Sequence, residues 1–170
     1  MTNLLKYILA TSFLTVLGAQ AQSLGSQKAV ARITATATVV GNVDLIVKND
    51  LEFEVSSLSP TELTLNPQTD PRCGEIEIIG SPNSMVRVTS EKESVLRHES
   101  GDSRLFFTYN FSGNTDEIQA ESALLTQTNR IMLGENGIYY LWVGGQLSGL
   151  EDIMPGNYTM VLTIDVEYVQ

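Results

Sequence analysis

The sequence predicts an all-β fold, an immunoglobulin-like antiparallel β-sandwich of about seven to nine strands. Several segments alternate apolar and polar residues with a period of two, which places the apolar side chains on one face of a strand. Clusters of Gly, Pro, Asn and Ser separate these segments at short intervals. No segment carries the sustained apolar period of a long helix, so short strands joined by turns are the expected architecture.

The last segment gives the clearest pattern. Between Tyr158 and Tyr168 every second residue is apolar, and most of the residues between them are polar. Pro155, Gly156 and Asn157 supply a turn just before this segment. The pattern predicts a long final strand with one buried and one hydrated face.

The other predicted strands show the same alternation and are rich in β-branched or aromatic residues. They span residues 29–40, 43–47, 51–55, 74–79, 85–90, 105–112, 130–133 and 138–147. Residues 56–72 are predicted as a loop, in which 62–65 is an optional short strand. Two turns predict hairpins, because residues 81–84 join 74–79 to 85–90 and Asn136-Gly137 lies between the last two segments. Residues 91–102 are predicted as a loop, and residues 113–128 as either a short helix or an irregular crossover.

The predicted core takes one or two apolar side chains from most of the predicted strands. Each one stabilises the fold by about 1.5–3 kcal/mol when fully buried. Residues 138–147 are apolar on both faces, which predicts a strand either at the centre of the fold or packed at an interface. The predicted core residues are Ile33, Phe53, Ile78, Val88, Phe107, Tyr109, Trp142, Leu162 and Ile164.

The N-terminus has the pattern of an export signal. Lys6 precedes an apolar stretch over residues 7–18, and Ala19-Gln20-Ala21 provides small residues at the cleavage positions. The apolar stretch is short for a membrane span, which leaves an anchor as the less favoured alternative. We therefore expect a signal peptide over residues 1–21 and a single exported domain over residues 22–170, in the periplasm, at the cell surface or outside the cell.

The charge balance limits the possible partners. The chain has 20 acidic and 10 basic residues and a net charge of −10. Nucleic acids and anionic membranes are bound by basic surfaces, so neither is an expected partner. We expect no membrane insertion once the signal peptide is removed.

Residues that could support catalysis or bind a metal are few. His98 is the only histidine, and its charged, polar surroundings predict an exposed loop position. A single histidine cannot complete a typical zinc site. The oxygen-rich residues 66–70 and 114–117 lack the spacing of an EF-hand, which leaves calcium as a weak alternative. We expect no catalytic residue, no metal and no cofactor, and the chain is not predicted to be an enzyme.

Two further features leave alternatives open. Cys73 is the only cysteine, so it is either a buried thiol, which is favoured, or the site of an intermolecular disulfide. Tyr139, Tyr140 and Trp142 lie close along one strand and form a possible binding patch, since exposed aromatic rings stack on sugars. Core packing is the favoured alternative for these three aromatic residues.

Four segments carry a family resemblance: ATATVV at 35–40, GSPN at 80–83, VGGQL at 143–147, and PGNY at 155–158 leading into LTIDVEY at 162–168. In this order they resemble a family of small secreted bacterial domains of unknown function. That family is similar to the Mat/Ecp-type fimbrillins and, more distantly, to spore-coat-protein-U-like and chaperone–usher pilin domains. The resemblance implies an immunoglobulin-like sandwich and a fimbrial or surface structural subunit without enzymatic activity. The chain departs from many pilins because it lacks a cysteine pair and a lipobox.

The N-terminal run, residues 22–39, has two possible roles. It can add to a sheet edge of another subunit as a donated strand, or it can be the first strand of its own sandwich. The corresponding function is a fimbrillin-like subunit that associates with itself or with a fimbrial partner by strand addition. The alternative function is a secreted adhesin or carbohydrate-binding module.

Overall fold

The computed structural model describes residues 28–40, 43–56, 61–126, 128–151 and 153–169, and of positions 28, 35–40, 53, 55 and 56 it describes the backbone alone. The predicted signal peptide lies outside these ranges. The described residues contain twelve strands, one short 3₁₀ turn at Gln119–Glu121 and no α-helix. The prediction of an all-β chain is therefore confirmed.

The twelve strands belong to one continuous, barrel-like sheet. Their number exceeds the predicted seven to nine, because the optional strand at 62–65 is present and because the segments predicted as a loop (91–102) and as a helix or crossover (113–128) also contain short strands. In chain order they are β1 (Lys28–Val40), β2 (Asp44–Asn49), β3 (Leu51–Ser56), β4 (Glu62–Leu65), β5 (Gly74–Ile79), β6 (Met85–Ser90), β7 (Glu93–His98), β8 (Arg104–Asn114), β9 (Ala123–Leu125), β10 (Thr128–Met132), β11 (Ile138–Ser148) and β12 (Gly156–Tyr168).

The first half of the sheet is built around β12. Along one side, β12 pairs in parallel with β1, from Ala29 opposite Gly156 to Val40 opposite Glu167. Along the other side, it pairs antiparallel with β7 at its start and with β6 at its end. Strand β3 pairs with the first half of β1, and β10 pairs with β6. The order in this half is therefore β3-β1-β12-β6-β10.

The second half is built around β11. Strand β8 pairs along one side of β11, while β5 and β4 share the other side. Strand β2 extends this half beyond β5, and β7 and β9 pair with β8. This confirms the central position of residues 138–147 that their apolar faces predicted. Because β7 pairs with both β8 and β12, it joins the two halves.

The two predicted hairpins are wrong. Strand β5 pairs with β11 and β2, whereas β6 pairs with β12 and β10. Instead, the segment that contains β5 and β6 lies antiparallel to the segment that contains β10 and β11. Together they form one ribbon that passes from one half of the sheet to the other, with Ile79 opposite Ile138 and Met85 opposite Met132. The turn residues specify that the chain bends. Which strand pairs with which is decided by the apolar faces of strands far apart in the sequence, because these faces are buried together.

Backbone hydrogen bonds continue the ribbon through its bend. The Gly80 amide donates to the Gly137 carbonyl at 2.9 Å, and the Leu133 amide donates to the Ser84 carbonyl at 3.0 Å. Gly137 has a φ of 79°, and a Cβ there would overlap the Gly80 carbonyl oxygen. Glycine is therefore needed at this position both for its backbone conformation and for the close approach of the two chains.

The segments predicted as a loop and as a short helix also differ from expectation. Residues 91–102 include β7, which forms a hairpin with β8 and buries Leu96. Charged residues at the outward positions of β7, such as Glu93 and Arg97, concealed the strand in the sequence. In residues 113–128 the structure has the end of β8, the 3₁₀ turn, β9 and the start of β10, and no α-helix among the residues it describes.

The core follows the predicted faces closely. Seven of the predicted residues are buried in one apolar cluster, in which the Tyr109 ring lies 5.2 Å from Phe107 and 5.9 Å from Phe111 between centroids. Trp142 is also buried but lies outside that cluster, and the Phe53 side chain is outside the described part of the chain. The seven are Ile33, Ile78, Val88, Phe107, Tyr109, Leu162 and Ile164.

We expect alanine substitutions on the two faces of β12 to differ sharply in their effect on stability. Ile164 is 1% exposed, and Ile164→Ala should lower the free energy of unfolding by about 2–5 kcal/mol through lost burial and a residual cavity. Val161 is 58% exposed, and Val161→Ala should cost less than about 1 kcal/mol. Urea unfolding followed by circular dichroism measures both changes, and equal losses would contradict the assignment of the faces.

Candidate functional site

Strand β1 fills a slot between β3 and β12. Its inward residues Ala29, Ala31 and Ile33 are buried in the core. Ala31 lies opposite the buried Tyr158 of β12, so a small side chain of β1 is paired with a large aromatic residue. Over its first half, β1 is therefore held by backbone pairing on both sides and by one apolar face.

The outward face of β1 carries an ion pair with β3. The Arg32 guanidinium donates from Nε to Glu52 Oε1 at 2.6 Å, and both side chains are exposed. An exposed ion pair contributes between about 0 and 1 kcal/mol. Backbone pairing and burial of the alanine and isoleucine side chains thus hold β1 in place more than this surface contact does.

A histidine holds the turn at the start of β12. His98 is 7% exposed, which corrects the expectation of an exposed loop position, because it belongs to β7 rather than to a loop. Its Nε2–H donates to the Pro155 carbonyl at 3.0 Å, and its Nδ1 accepts from the Ser100 amide at 3.2 Å. These two partners require the neutral tautomer with the proton on Nε2.

Tyr158 and Gly156 also hold this turn, and we call the set of His98, Tyr158 and Gly156 the clamp. The His98 ring packs edge-on against Tyr158 with centroids 4.9 Å apart. The Tyr158 hydroxyl donates to Ser103 Oγ at 2.8 Å and accepts from the Met154 amide at 3.1 Å. Gly156 has a φ of 136°, and a Cβ there would overlap His98 Nε2. The Pro-Gly-Asn turn predicted from sequence is therefore fixed to β7 and to the residues that follow β7.

The three residues of the possible binding patch do not share one surface. Tyr139 points into the core, where burial raises the pKa of its hydroxyl. Tyr140 and Trp142 lie on the opposite face of β11 and stack on each other, with ring centroids 6.3 Å apart and planes at 27°. Trp142 is 3% exposed, so its ring offers almost no face to a sugar.

A charged cluster lies over this aromatic pair. Lys48 Nζ is 5.3 Å from the centre of the Tyr140 ring, within the range of a cation–π contact. It also forms ion pairs with Glu117 and with Glu75, the latter at 3.2 Å. The hydrogen bond to Glu117 raises the pKa of the Lys48 ammonium most, and the contacts with Glu75 raise it further. Lys48 therefore stays charged and compensates the negative charge of Glu75, whose buried Oε1 accepts no hydrogen bond from the described residues.

The loop that precedes β5 contains the lone thiol and one of the oxygen-rich segments. Cys73 is buried, and its Sγ donates to the Asn66 carbonyl at 3.4 Å. Burial raises the pKa of the thiol to about 12. Asp70 accepts from the Arg72 guanidinium at 2.6 and 2.9 Å, and these bonds lower the pKa of its carboxyl. Within the described ranges, no group of three or more His, Cys, Asp or Glu side chains is placed to hold a metal ion.

Comparisons with known proteins do not assign the chain. No protein-family model matches the sequence, and no curated protein matches it significantly. In the part of the chain that the structure describes, no helix has the length and apolar character needed to cross a membrane. Functional inference therefore depends on the strand arrangement and the side chains described above.

We expect the fluorescence of Trp142 to report a shielded ring. Trp142 is the only tryptophan, and its 3% exposure predicts a blue-shifted emission that iodide does not quench. Tyr140→Ala removes the stacked ring and should shift the emission to longer wavelength. A water-like, iodide-sensitive emission in the unmodified protein would contradict the buried position and revive a sugar-binding role for this face.

Cys73 is expected to resist alkylation in the folded protein. The reactive species is the thiolate, which is rare at pH 8 when burial raises the thiol pKa to about 12. Iodoacetamide should therefore label the protein only after denaturation, as measured by intact-protein mass spectrometry. Rapid labelling of the native protein, or a dimer that dithiothreitol dissociates, would show instead that the thiol is accessible.

Proposed function

We propose that the chain is an exported, non-enzymatic structural subunit that assembles by β-strand addition, in the manner of a fimbrillin. One observation carries the proposal: the first described strand, β1, lies between β3 and β12 and pairs in parallel with β12 along nearly its whole length. Without β1, two strands would each expose an unpaired edge beside an apolar groove. Such a slot accepts a strand from the same chain or from another copy.

The position of β1 in the chain favours such an exchange. Its partners β3 and β12 come from elsewhere in the sequence, so none of its pairing depends on a tight turn to the next strand. An identical strand from a neighbouring subunit would make the same hydrogen bonds, which is why exchange of a terminal element is a low-cost route to assembly. The small side chains of Ala29 and Ala31 add little bulk to a strand that enters the groove.

The strand arrangement supports an immunoglobulin-like sandwich for this subunit. The order β3-β1-β12-β6-β10 would form one layer, and the strands around β11 would form the other. Apolar residues from both groups, such as Leu162 on β12 and Leu141 on β11, belong to the same buried cluster. In this arrangement β7 and the bent β5–β6 and β10–β11 ribbon would connect the two layers, as strands that change sheets do at the corners of sandwiches.

The environments of the reactive side chains support the absence of catalysis. Both ring nitrogens of His98 are engaged in holding the turn before β12, which leaves neither free to move a proton to a substrate. The Cys73 thiol is buried and protonated near neutral pH. The export part of the proposal is supported by the sequence of residues 1–21 alone.

A peptide with the sequence of β1 tests the proposal. The full mature chain, residues 22–170, is incubated with a fluorescent peptide corresponding to residues 28–40. We expect the chain to form assemblies that electron microscopy and light scattering detect, and we expect the peptide to enter the slot and to shorten or prevent them. A matched peptide with the Ala31→Asp and Ile33→Asp changes should have no effect, because it would place two charges in the apolar groove.

Two results would contradict strand addition. The first is a mature chain that remains monomeric at every concentration tested and binds no peptide. The second is equal inhibition by both peptides, which would mean that binding does not depend on the buried face of β1.

A further inference from the structure

The second half of β1 has a neighbour along one side only. Strand β3 pairs with the first half of β1, and this pairing ends where Leu51 lies opposite Ile33. The residues just before β3 form β2, which pairs with β5 instead of β1. Among the described strands, residues 34–40 therefore pair with β12 alone, and the backbone donors and acceptors along their other edge are unpaired.

This edge lacks the features that usually prevent association. Its sequence, TATATVV, contains no charge, no proline and no glycine, and five of its seven residues are β-branched. Proteins protect an exposed edge with charged residues, prolines, bulges or a very short strand. A longer, uncharged edge that is rich in β-branched residues is instead one that pairs with a further strand.

The other edge strands of the described chain differ from this one. Of the strands that pair along one side only, β2, β3, β4 and β10 each contain a charged residue, and β9 has only three residues. The chain has a net charge of −10, so two copies repel each other over most of their surfaces. The free edge of β1 is the longest described edge at which two copies meet without opposing like charges.

The free length of this edge fixes one register for a symmetric pair. The edge begins after Ile33, where β3 ends, and finishes at Val40, the last residue of β1. If all seven residues pair antiparallel with the same residues of a second copy, Ala37 lies on the two-fold axis. Because seven is odd, each residue then meets one from the same face of the sheet, and Thr36 lies opposite Thr38. Thr–Thr pairs are among the favourable cross-strand pairs.

The acidic residues of β12 lie one strand back from this edge. Asp165 is opposite Thr38, and Glu167 is opposite Val40 and forms an ion pair with Arg87. In the symmetric pair, two β1 strands separate the β12 strands of the two copies. At about 4.8 Å per strand spacing, the acidic residues of one β12 lie at least about 14 Å from those of the other. This distance exceeds the screening length of about 8 Å at physiological salt, so their repulsion is weak.

We infer that residues 34–40 of β1 pair antiparallel with the same residues of a second copy, about a two-fold axis at Ala37. The two copies then share one continuous sheet with the order β12-β1-β1-β12 across the contact. The contact is isologous and closes on a dimer. It goes beyond the proposed strand addition, because it uses the free edge of β1 and leaves the slot between β3 and β12 as it is.

A strand of a different protein is the alternative occupant of this edge. The two occupants differ in what lies opposite Thr36 and Thr38. In the symmetric pair each of these residues meets the other one from the second copy, whereas a different protein brings its own side chains. Charges introduced at these two positions therefore distinguish the two occupants.

The first test measures self-association of the full mature chain, residues 22–170, by sedimentation velocity. The double variant Thr36→Lys/Thr38→Lys places like charges opposite each other twice, and it should weaken association about tenfold or more. The matched double variant Thr36→Glu/Thr38→Lys adds two charges to the same edge, but opposite charges meet across the axis. Its association should equal or exceed that of the unmodified chain.

Two results of this test would overturn the symmetric contact. The first is an unmodified chain that stays monomeric, and the second is equal weakening in both double variants. Residues 36 and 38 continue the alternation of Arg32 and Thr34, which are exposed, so both variants should fold. Circular dichroism of each variant checks this.

The second test locates the contact and separates it from the proposed function. A copy with Thr36→Cys is mixed with a copy carrying Thr38→Cys under mild oxidation, and peptide mapping should find a disulfide between the two positions. Thr36→Cys mixed with Val161→Cys, an exposed position on β12, is the control and should not cross-link. A chain that binds the β1 peptide without this cross-link overturns the symmetric contact alone. The cross-link in a chain that never binds the β1 peptide retains the symmetric contact and overturns strand addition.

Discussion

The pairing of β12 is the constraint on which the rest of the structure depends. Its five alternate residues from Tyr158 to Val166 are all buried, so one face of this strand supplies a continuous part of the core. Its two edges meet β1, β6 and β7, which belong to the beginning and the middle of the chain. A shift of β12 by one residue would turn its whole apolar face outward and misalign three neighbours at once. The clamp of His98 on the preceding turn fixes where this strand begins, and thereby its register.

The bent ribbon is the second organising element, and it explains why the two halves share one core without a disulfide. Strands β5 and β11 lie together in one half, and their continuations β6 and β10 lie together in the other. Because backbone hydrogen bonds continue through the bend, the halves are connected by pairing as well as by covalent linkers. A chain of this length can bury enough apolar surface for independent stability, so the lone Cys73 needs no partner for the fold to hold.

The sequence predicts the local structure well, because alternation reports directly which face of a strand is buried. The limits of β5 and β6 agree with the predicted segments, and the long final strand lies where its pattern placed it. Pairing partners were harder to predict, since Asn136-Gly137 specifies a bend in either a hairpin or a longer ribbon. Strand β7 was missed because its outward charged residues obscured two buried positions, Leu96 and His98. For the clamp, the sequence offers only one indication, the single histidine. Its contact with the Pro-Gly-Asn turn joins residues that are far apart in the chain, and a local pattern does not report such a contact.

Buried faces and exposed edges belong to different strands of this fold. The strands that carry the largest buried faces, β8, β11 and β12, have neighbours along both sides, so their backbone groups are largely satisfied within the chain. The strands at the ends of the β12 half, β3 and β10, are short and carry exposed charges. Short, charged edges contribute little to the core, so substitutions on β3 and β10 should change stability less than substitutions at the buried positions of β8, β11 or β12.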